Sequence, residues 1–195
     1  MKIVLFPGVA IEEIGDCHKY FFKEITKRLN GDGEIVPWEI GNNHPTFDLP
    51  LKGTREFICK VILDFQTVIV HALEMKVPDA DVYLGHSAGS IIALAQKDKN
   101  CVTFGSPATL VECIRQKTRS SDDLIDAMDK GNRKILNIIN KYDVIAYPIN
   151  KPNVENFKYQ APWYNPLSFF PATMHSDYWK SETVIKKIVK TIKTW

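Results

Sequence analysis

The chain has 195 residues, 45% of them hydrophobic and 25% charged, with 25 Lys and Arg against 23 Asp and Glu for a formal charge of +2. These proportions belong to an ordinary globular domain and exclude a disordered, collagenous or coiled-coil chain. The small charge excess does not suit a nucleic-acid binder, and no apolar run approaches the roughly 20 residues that cross a bilayer, so no stable membrane insertion is expected.

In chain order, Ile3-Val4-Leu5-Phe6 is a short apolar run stopped by Pro7-Gly8 and predicts a buried strand. Four apolar residues are too few for the roughly 7–15 of a signal peptide, so a cytoplasmic protein is expected. Tyr20, Phe21, Phe22, Ile25 and Leu29 recur at helical spacing, predicting a helix over 16–29 with Asp16 as its N-cap, ended by Asn30-Gly31-Asp32-Gly33. Residues 35–40 read as a strand, and Pro37 assigns it to the sheet edge because proline cannot donate to an inner ladder. Residues 41–53 read as a loop, and 57–73 as a long amphipathic helix closed by Pro78.

A strand follows over 81–84, then Gly85-His86-Ser87-Ala88-Gly89, then a helix over 90–97. Residues 101–104 read as a strand ending in Gly105-Ser106-Pro107, and 108–130 as a polar helical segment carrying Asp122, Asp123, Asp126 and Asp129. A strand over 134–139 leads into the loop Asn140-Lys141-Tyr142-Asp143. A short edge strand over 156–160, an aromatic loop with Trp163, Tyr164, Phe169 and Phe170, the loop residue His175 and a helix over 181–194 complete the chain. Strands alternating with helices predict an α/β fold, a mostly parallel sheet of five or six strands with helices on both faces, formed as one domain over 1–195. Cys17, Cys59, Cys101 and Cys113 make no CxxC and no zinc spacing, so reduced thiols and no metal are expected. Neither a phosphate-binding loop nor a dinucleotide fingerprint is present, and no cofactor is expected.

Gly85-His86-Ser87-Ala88-Gly89 matches G-x-S-x-G. Chance gives about 0.06 such matches in a chain of this length. Its position between a predicted strand and a predicted helix carries more weight, because a nucleophile elbow occupies that junction. A serine hydroxyl is a weak nucleophile and needs a base. Of His18, His44, His71, His86 and His175, only His175 follows the last predicted strand in the order Ser, Asp, His. Asp143 lies between Ser87 and His175 at the end of a strand, where an acid would orient the base. Asp177, two residues from His175, reads as an exposed loop residue. An oxyanion needs two backbone donors. Ala88, after the nucleophile, supplies one; Pro7 has no N–H, so the other is Val9 or Gly8, with Val9 preferred.

At these residues the chain resembles the α/β-hydrolases, and within them the small esterases and lipases related to class 3 lipases. Gly85-His86-Ser87-Ala88-Gly89 is similar to the group's GHSxGG elbow, with Ser90 where a second glycine is common. Thr103-Phe104-Gly105-Ser106-Pro107 is similar to its TFGSP segment, the stretch from Asn140 to Pro148 to its acid loop, and His175-Ser176-Asp177-Tyr178 to its H-x-x-Y loop. The resemblance runs from Leu84 to Trp179, about half of the chain. It implies a minimal α/β-hydrolase with Ser87, Asp143 and His175 as nucleophile, acid and base, acting on a small-molecule ester or lipid-like substrate. A thioesterase, a small amidase or a catalytically silent hydrolase fold used for binding are the alternatives.

Overall fold

A computed structural model describes residues 1–8, 16–36, 76–96, 98–110, 132–161 and 171–195. Six strands form one parallel sheet: β1 (Lys2–Phe6), β2 (Asp32–Ile35), β3 (Val82–His86), β4 (Asn100–Phe104), β5 (Ile135–Asn140) and β6 (Val154–Tyr159). Their spatial order is β2-β1-β3-β4-β5-β6, with every neighbouring pair parallel. The helices are α1 (Cys17–Leu29), α2 (Gly89–Ala95), α3 (Pro171–Ser176) and α4 (Glu182–Ile192), with a 3-10 turn over Asp177–Lys180 between the last two.

The two-residue alternation of the strands sorts the core onto two faces. Ile3, Leu5, Val82, Leu84, Val102, Phe104, Leu136 and Ile138 point to the face covered by α1, Trp179 and α4. Val4, Phe6, Tyr83, Cys101 and Ile135 point to the other, where α2 lays Ile91, Ile92 and Leu94 against them. Trp179 is 1% exposed and stacks edge-on against Phe21 and Phe104, with ring centroids 5.3 and 5.1 Å away. A large apolar side chain buried this way contributes about 1.5–3 kcal/mol. Arg28 of α1 grips the Glu182 carboxylate of α4 with both terminal nitrogens, at 2.8 and 3.2 Å. The far end of α2 is closed by Arg133, whose guanidinium donates to the carbonyls of Gln96 and Leu94 at 2.6 and 2.9 Å and so satisfies helix-end acceptors.

Several element bounds differ from the sequence expectation. The second strand begins at Asp32, inside the expected turn. Asn30 takes a left-handed conformation that ends α1, and the Asp32 N–H immediately bonds the Met1 carbonyl at 3.0 Å, so pairing to β1 starts at once. Gly33 leaves room there for α1, since a β-carbon would lie 2.4 Å from Phe22 Cζ and force that ring to shift. Asp16 stands at the N-terminus of α1 but makes no side-chain cap; its carboxylate pairs with Lys19 at 2.8 Å. β3 extends through Gly85 and His86, and β5 includes Asn140. The expected helix over 57–73, residues 111–130 of the expected helical segment over 108–130, residues 37–40 of the expected edge strand, and the aromatic residues 163–170 lie outside the described residues; 108–110 are helical as expected. No helix among the described residues is long and apolar enough to cross a membrane.

The strand order places a reversal between β1 and β3. From β1 the chain moves outward to β2, whereas from β3 it runs the other way through β4, β5 and β6. A crevice opens at the carboxyl ends of the strands at such a switch point, and ligands of open α/β sheets bind there. Pro7-Gly8 leaves β1, and Ser87 leaves β3, on either side of it.

Candidate active site

Ser87 has a φ of +52°, one of two non-glycine residues among the described ones with positive φ. A side chain in that region is strained and persists only where its surroundings fix it. The surrounding small residues are required by contact. A β-carbon on Gly85 would sit 2.6 Å from the Ser90 Cα, and one on Gly89 would sit 2.2 Å from the Phe6 carbonyl oxygen. Both glycines of G-x-S-x-G therefore let α2 close onto β1 and β3 behind the serine. The Ser87 N–H bonds the Phe104 carbonyl at 3.1 Å, and its own carbonyl accepts from the Ser90 N–H at 3.0 Å.

Asp143 and His175 meet. His175 Nδ1 lies 2.9 Å from Asp143 Oδ2, and the carboxylate group is fully enclosed. The same Oδ2 accepts the Tyr178 hydroxyl at 2.8 Å, and Oδ1 accepts the Ile145 N–H at 3.1 Å. The Asn140 N–H donates in turn to the Tyr178 oxygen at 2.9 Å. Burial pushes the Asp143 carboxyl up, but the hydrogen bond and charge of His175, with the Ile145 N–H and the Tyr178 hydroxyl, outweigh it and hold the carboxyl below its usual range. Asp143 thus stays ionised at neutral pH, as a group that orients an imidazole must.

His175 stands on the helix α3 rather than in a loop. Six residues are too few to show a 3.6-residue period, but Pro171 at the first helical position is a start signal available in the sequence. Asp177, expected to be exposed, is half-buried and accepts a 3.4 Å bond from the Tyr159 hydroxyl. It is not the partner of His175.

His175 Nε2 is buried with no hydrogen-bond partner, so the Ser87 hydroxyl does not bond it in this structure. The two residues are linked through their neighbours. Ser87 bonds Phe104, and at the next position a β-carbon on Gly105, whose φ is +61°, would lie 2.9 Å from His175 Cε1. Bonds between nucleophile and base are commonly long without substrate and tighten when it binds.

Ala88 follows the serine and is buried at the entry to α2. Val9, the expected second oxyanion donor, lies outside the described residues. Its neighbour Gly8 is described: φ is +89°, and a β-carbon there would come 3.1 Å from Ser87 Cβ and 2.7 Å from the His86 carbonyl oxygen. The loop after β1 therefore runs directly beside the serine.

His86 has a place that the sequence did not reveal. Its ring packs against Phe104 and Trp179 and meets the His175 ring, with centroids 4.7 Å apart. Each ring nitrogen faces a backbone carbonyl oxygen, Nδ1 that of Pro7 at 3.1 Å and Nε2 that of His175 at 2.8 Å. Two acceptors favour the doubly protonated ring, but complete burial and the nearby His175 push its pKa down to about 3. Desolvation of a full charge is the larger effect, so the ring is neutral and its single N–H serves one carbonyl at a time. Tyr178, three residues after His175, likewise supports Asp143 through its hydroxyl, a role its sequence spacing alone does not assign.

Among the described residues no cluster of three His, Cys, Asp or Glu side chains is arranged to hold a metal ion. Compared with known proteins, the chain matches no family model and no curated protein.

Proposed function

We propose that this chain is a serine hydrolase that cleaves carboxylic esters through Ser87, His175 and Asp143. The observation that carries the reading is the enclosed Asp143–His175 pair, whose free Nε2 is unpartnered at the sheet end where a strained serine leaves β3. Ser87 Oγ attacks the ester carbonyl while His175 Nε2 takes its proton. Asp143 holds the imidazole by Nδ1 and balances the imidazolium. The Ala88 N–H, with Val9 as its expected partner, receives the oxyanion. His175 returns the proton to the leaving alcohol, and water activated by the same nitrogen hydrolyses the acyl-enzyme. The resemblance to small esterases and class 3 lipases favours an oxygen ester of a small or lipid-like molecule. The free Cys17 and Cys101, with the near-neutral charge, suit a cytoplasmic setting.

The missing Ser87–His175 bond favours one second reading, a hydrolase fold that binds without turnover. Intact mass after a fluorophosphonate probe separates the two. The hydrolase reading expects one adduct on wild type and none on Ser87→Ala, with turnover of a p-nitrophenyl ester reduced about 10⁴-fold in the variant. A folded wild type that takes no adduct refutes it. Relative kcat/KM on matched oxygen esters, thioesters and amides then identifies the bond cleaved.

A further inference from the structure

Ser90 carries a hydroxyl where the elbow pattern commonly has only hydrogen, and the hydroxyl is fully engaged. Ser90 is completely buried, and its Oγ lies 2.6 Å from the Ser87 carbonyl oxygen. A carbonyl only accepts, so the single Ser90 proton points at it. Ser90 Oγ also lies 2.7 Å from Ser106 Oγ, and with the Ser90 proton committed, Ser106 is the donor in that pair. Ser106 Oγ in turn accepts the Ala108 N–H at 3.3 Å. The directions are therefore fixed along the whole chain: Ala108 N–H to Ser106, Ser106 to Ser90, and Ser90 to the carbonyl of the nucleophile.

That carbonyl belongs to the peptide unit whose other end is the Ala88 N–H. A peptide is planar and trans, so its N–H points opposite to its C=O. The Ser87 carbonyl is held inward by two donors, the Ser90 N–H at 3.0 Å and the Ser90 hydroxyl at 2.6 Å. The Ala88 N–H is thereby turned away from Ser90 and kept there. Donors on a carbonyl also polarise its peptide and strengthen the N–H on the far side, an effect that grows along a connected chain of hydrogen bonds.

We infer that Ser90 and Ser106 are positioning residues that aim and strengthen the Ala88 N–H as an oxyanion donor. The inference rests on the hydrolase reading of Ser87. Neither hydroxyl touches substrate. Both act through one peptide unit, and Ser106 ties that unit to the Gly105 segment against which His175 packs. The consequence is specific to the transition state, because only the tetrahedral intermediate carries the charge that the N–H receives.

The test uses Ser90→Ala, Ser106→Ala and the double variant, each measured for ester turnover, for inhibition by an alkyl trifluoromethyl ketone and for fluorophosphonate stoichiometry. The ketone adds the serine oxygen to form a charged hemiketal, so its affinity reads the oxyanion site without turnover. Ser90→Ala is expected to lower kcat about tenfold at unchanged KM and to raise the ketone inhibition constant by a similar factor. Ser106→Ala should give a smaller loss in both, and the double variant should match Ser90→Ala, since Ser106 acts only through Ser90. Loss of activity matched by loss of titratable sites, at unchanged ketone affinity, would show a purely structural role and overturn the inference. So would additive losses in the double variant. A wild type that neither labels nor turns over would instead remove the hydrolase reading on which the inference depends.

Discussion

Taking the protein from pH 7.5 to pH 5 should remove about 2 kcal/mol of stability through His86 alone. Burial and the adjacent His175 hold the His86 pKa near 3 in the folded chain, against an ordinary 6.5. The folded value is the lower one. The neutral ring's contribution is therefore complete above pH 6.5 and is lost as the pH falls toward 3, where the unfolded chain takes up a proton that the folded chain refuses. At pH 5 the unfolded ring is about 1.5 units below its pKa, and each unit is worth about 1.4 kcal/mol. His86→Phe keeps a ring against Phe104 and Trp179 but cannot take the proton. Its absolute stability falls with the lost bond to a carbonyl, so the informative quantity is the difference between wild type and variant across pH. Contributions of the groups common to both proteins largely cancel in that difference. Urea unfolding at the two pH values should show the wild-type advantage shrinking by about 2 kcal/mol, or about 1 M in midpoint for a slope near 2 kcal/mol/M. Parallel pH dependences would refute the buried neutral ring. An advantage that grows in acid would mean that the two carbonyls of Pro7 and His175 win, and that His86 is an imidazolium spanning them.

Two further substitutions probe the supports of Asp143 and His175. Tyr178→Phe removes one of the two donors on Asp143 Oδ2 and leaves the buried Asn140 N–H without its acceptor. It should cost about 1–3 kcal/mol in thermal or urea unfolding and lower kcat about tenfold with KM unchanged; full activity would mean that His175 and Ile145 hold the carboxylate unaided. Gly105→Ala meets both a left-handed backbone and a contact of 2.9 Å with His175 Cε1. It should lose more in turnover than in stability, where roughly 1–2 kcal/mol is expected, because the displaced group is His175, the proposed base; retained turnover at reduced stability would separate the strain from the chemistry.

The parts of this molecule that follow from local pattern were legible in the sequence. Continuous apolar runs such as Ile3-Val4-Leu5-Phe6 mark strands of the parallel sheet, and the expected pairing of Asp143 with His175 is present. What escaped depends on contacts distant in sequence. Gly33 reads as a turn residue until Phe22 is seen lying across it. That the His86 ring reaches the His175 carbonyl follows only from the docking of α3. Ser90 reads as a departure from a glycine pattern, since its partner Ser106 lies 16 residues on and meets it only when β4 pairs with β3.

The packing of α1 against Trp179 and α4 also sets an order of events during synthesis. β1, α1 and β3 leave the ribosome early, yet Phe21, Phe22 and Ile25 of α1 share their core with Tyr178, Trp179, Val184, Ile185 and Ile188, which emerge more than 140 residues later. Until then α1 and one face of the sheet carry unburied apolar surface, and contacts of such sequence separation form slowly. The segment that finally covers them also delivers His175 and Tyr178 to Asp143. Completion of the core and assembly of the Asp143–His175 pair are therefore a single step, and a nascent chain that carries Ser87 but not this segment lacks that pair.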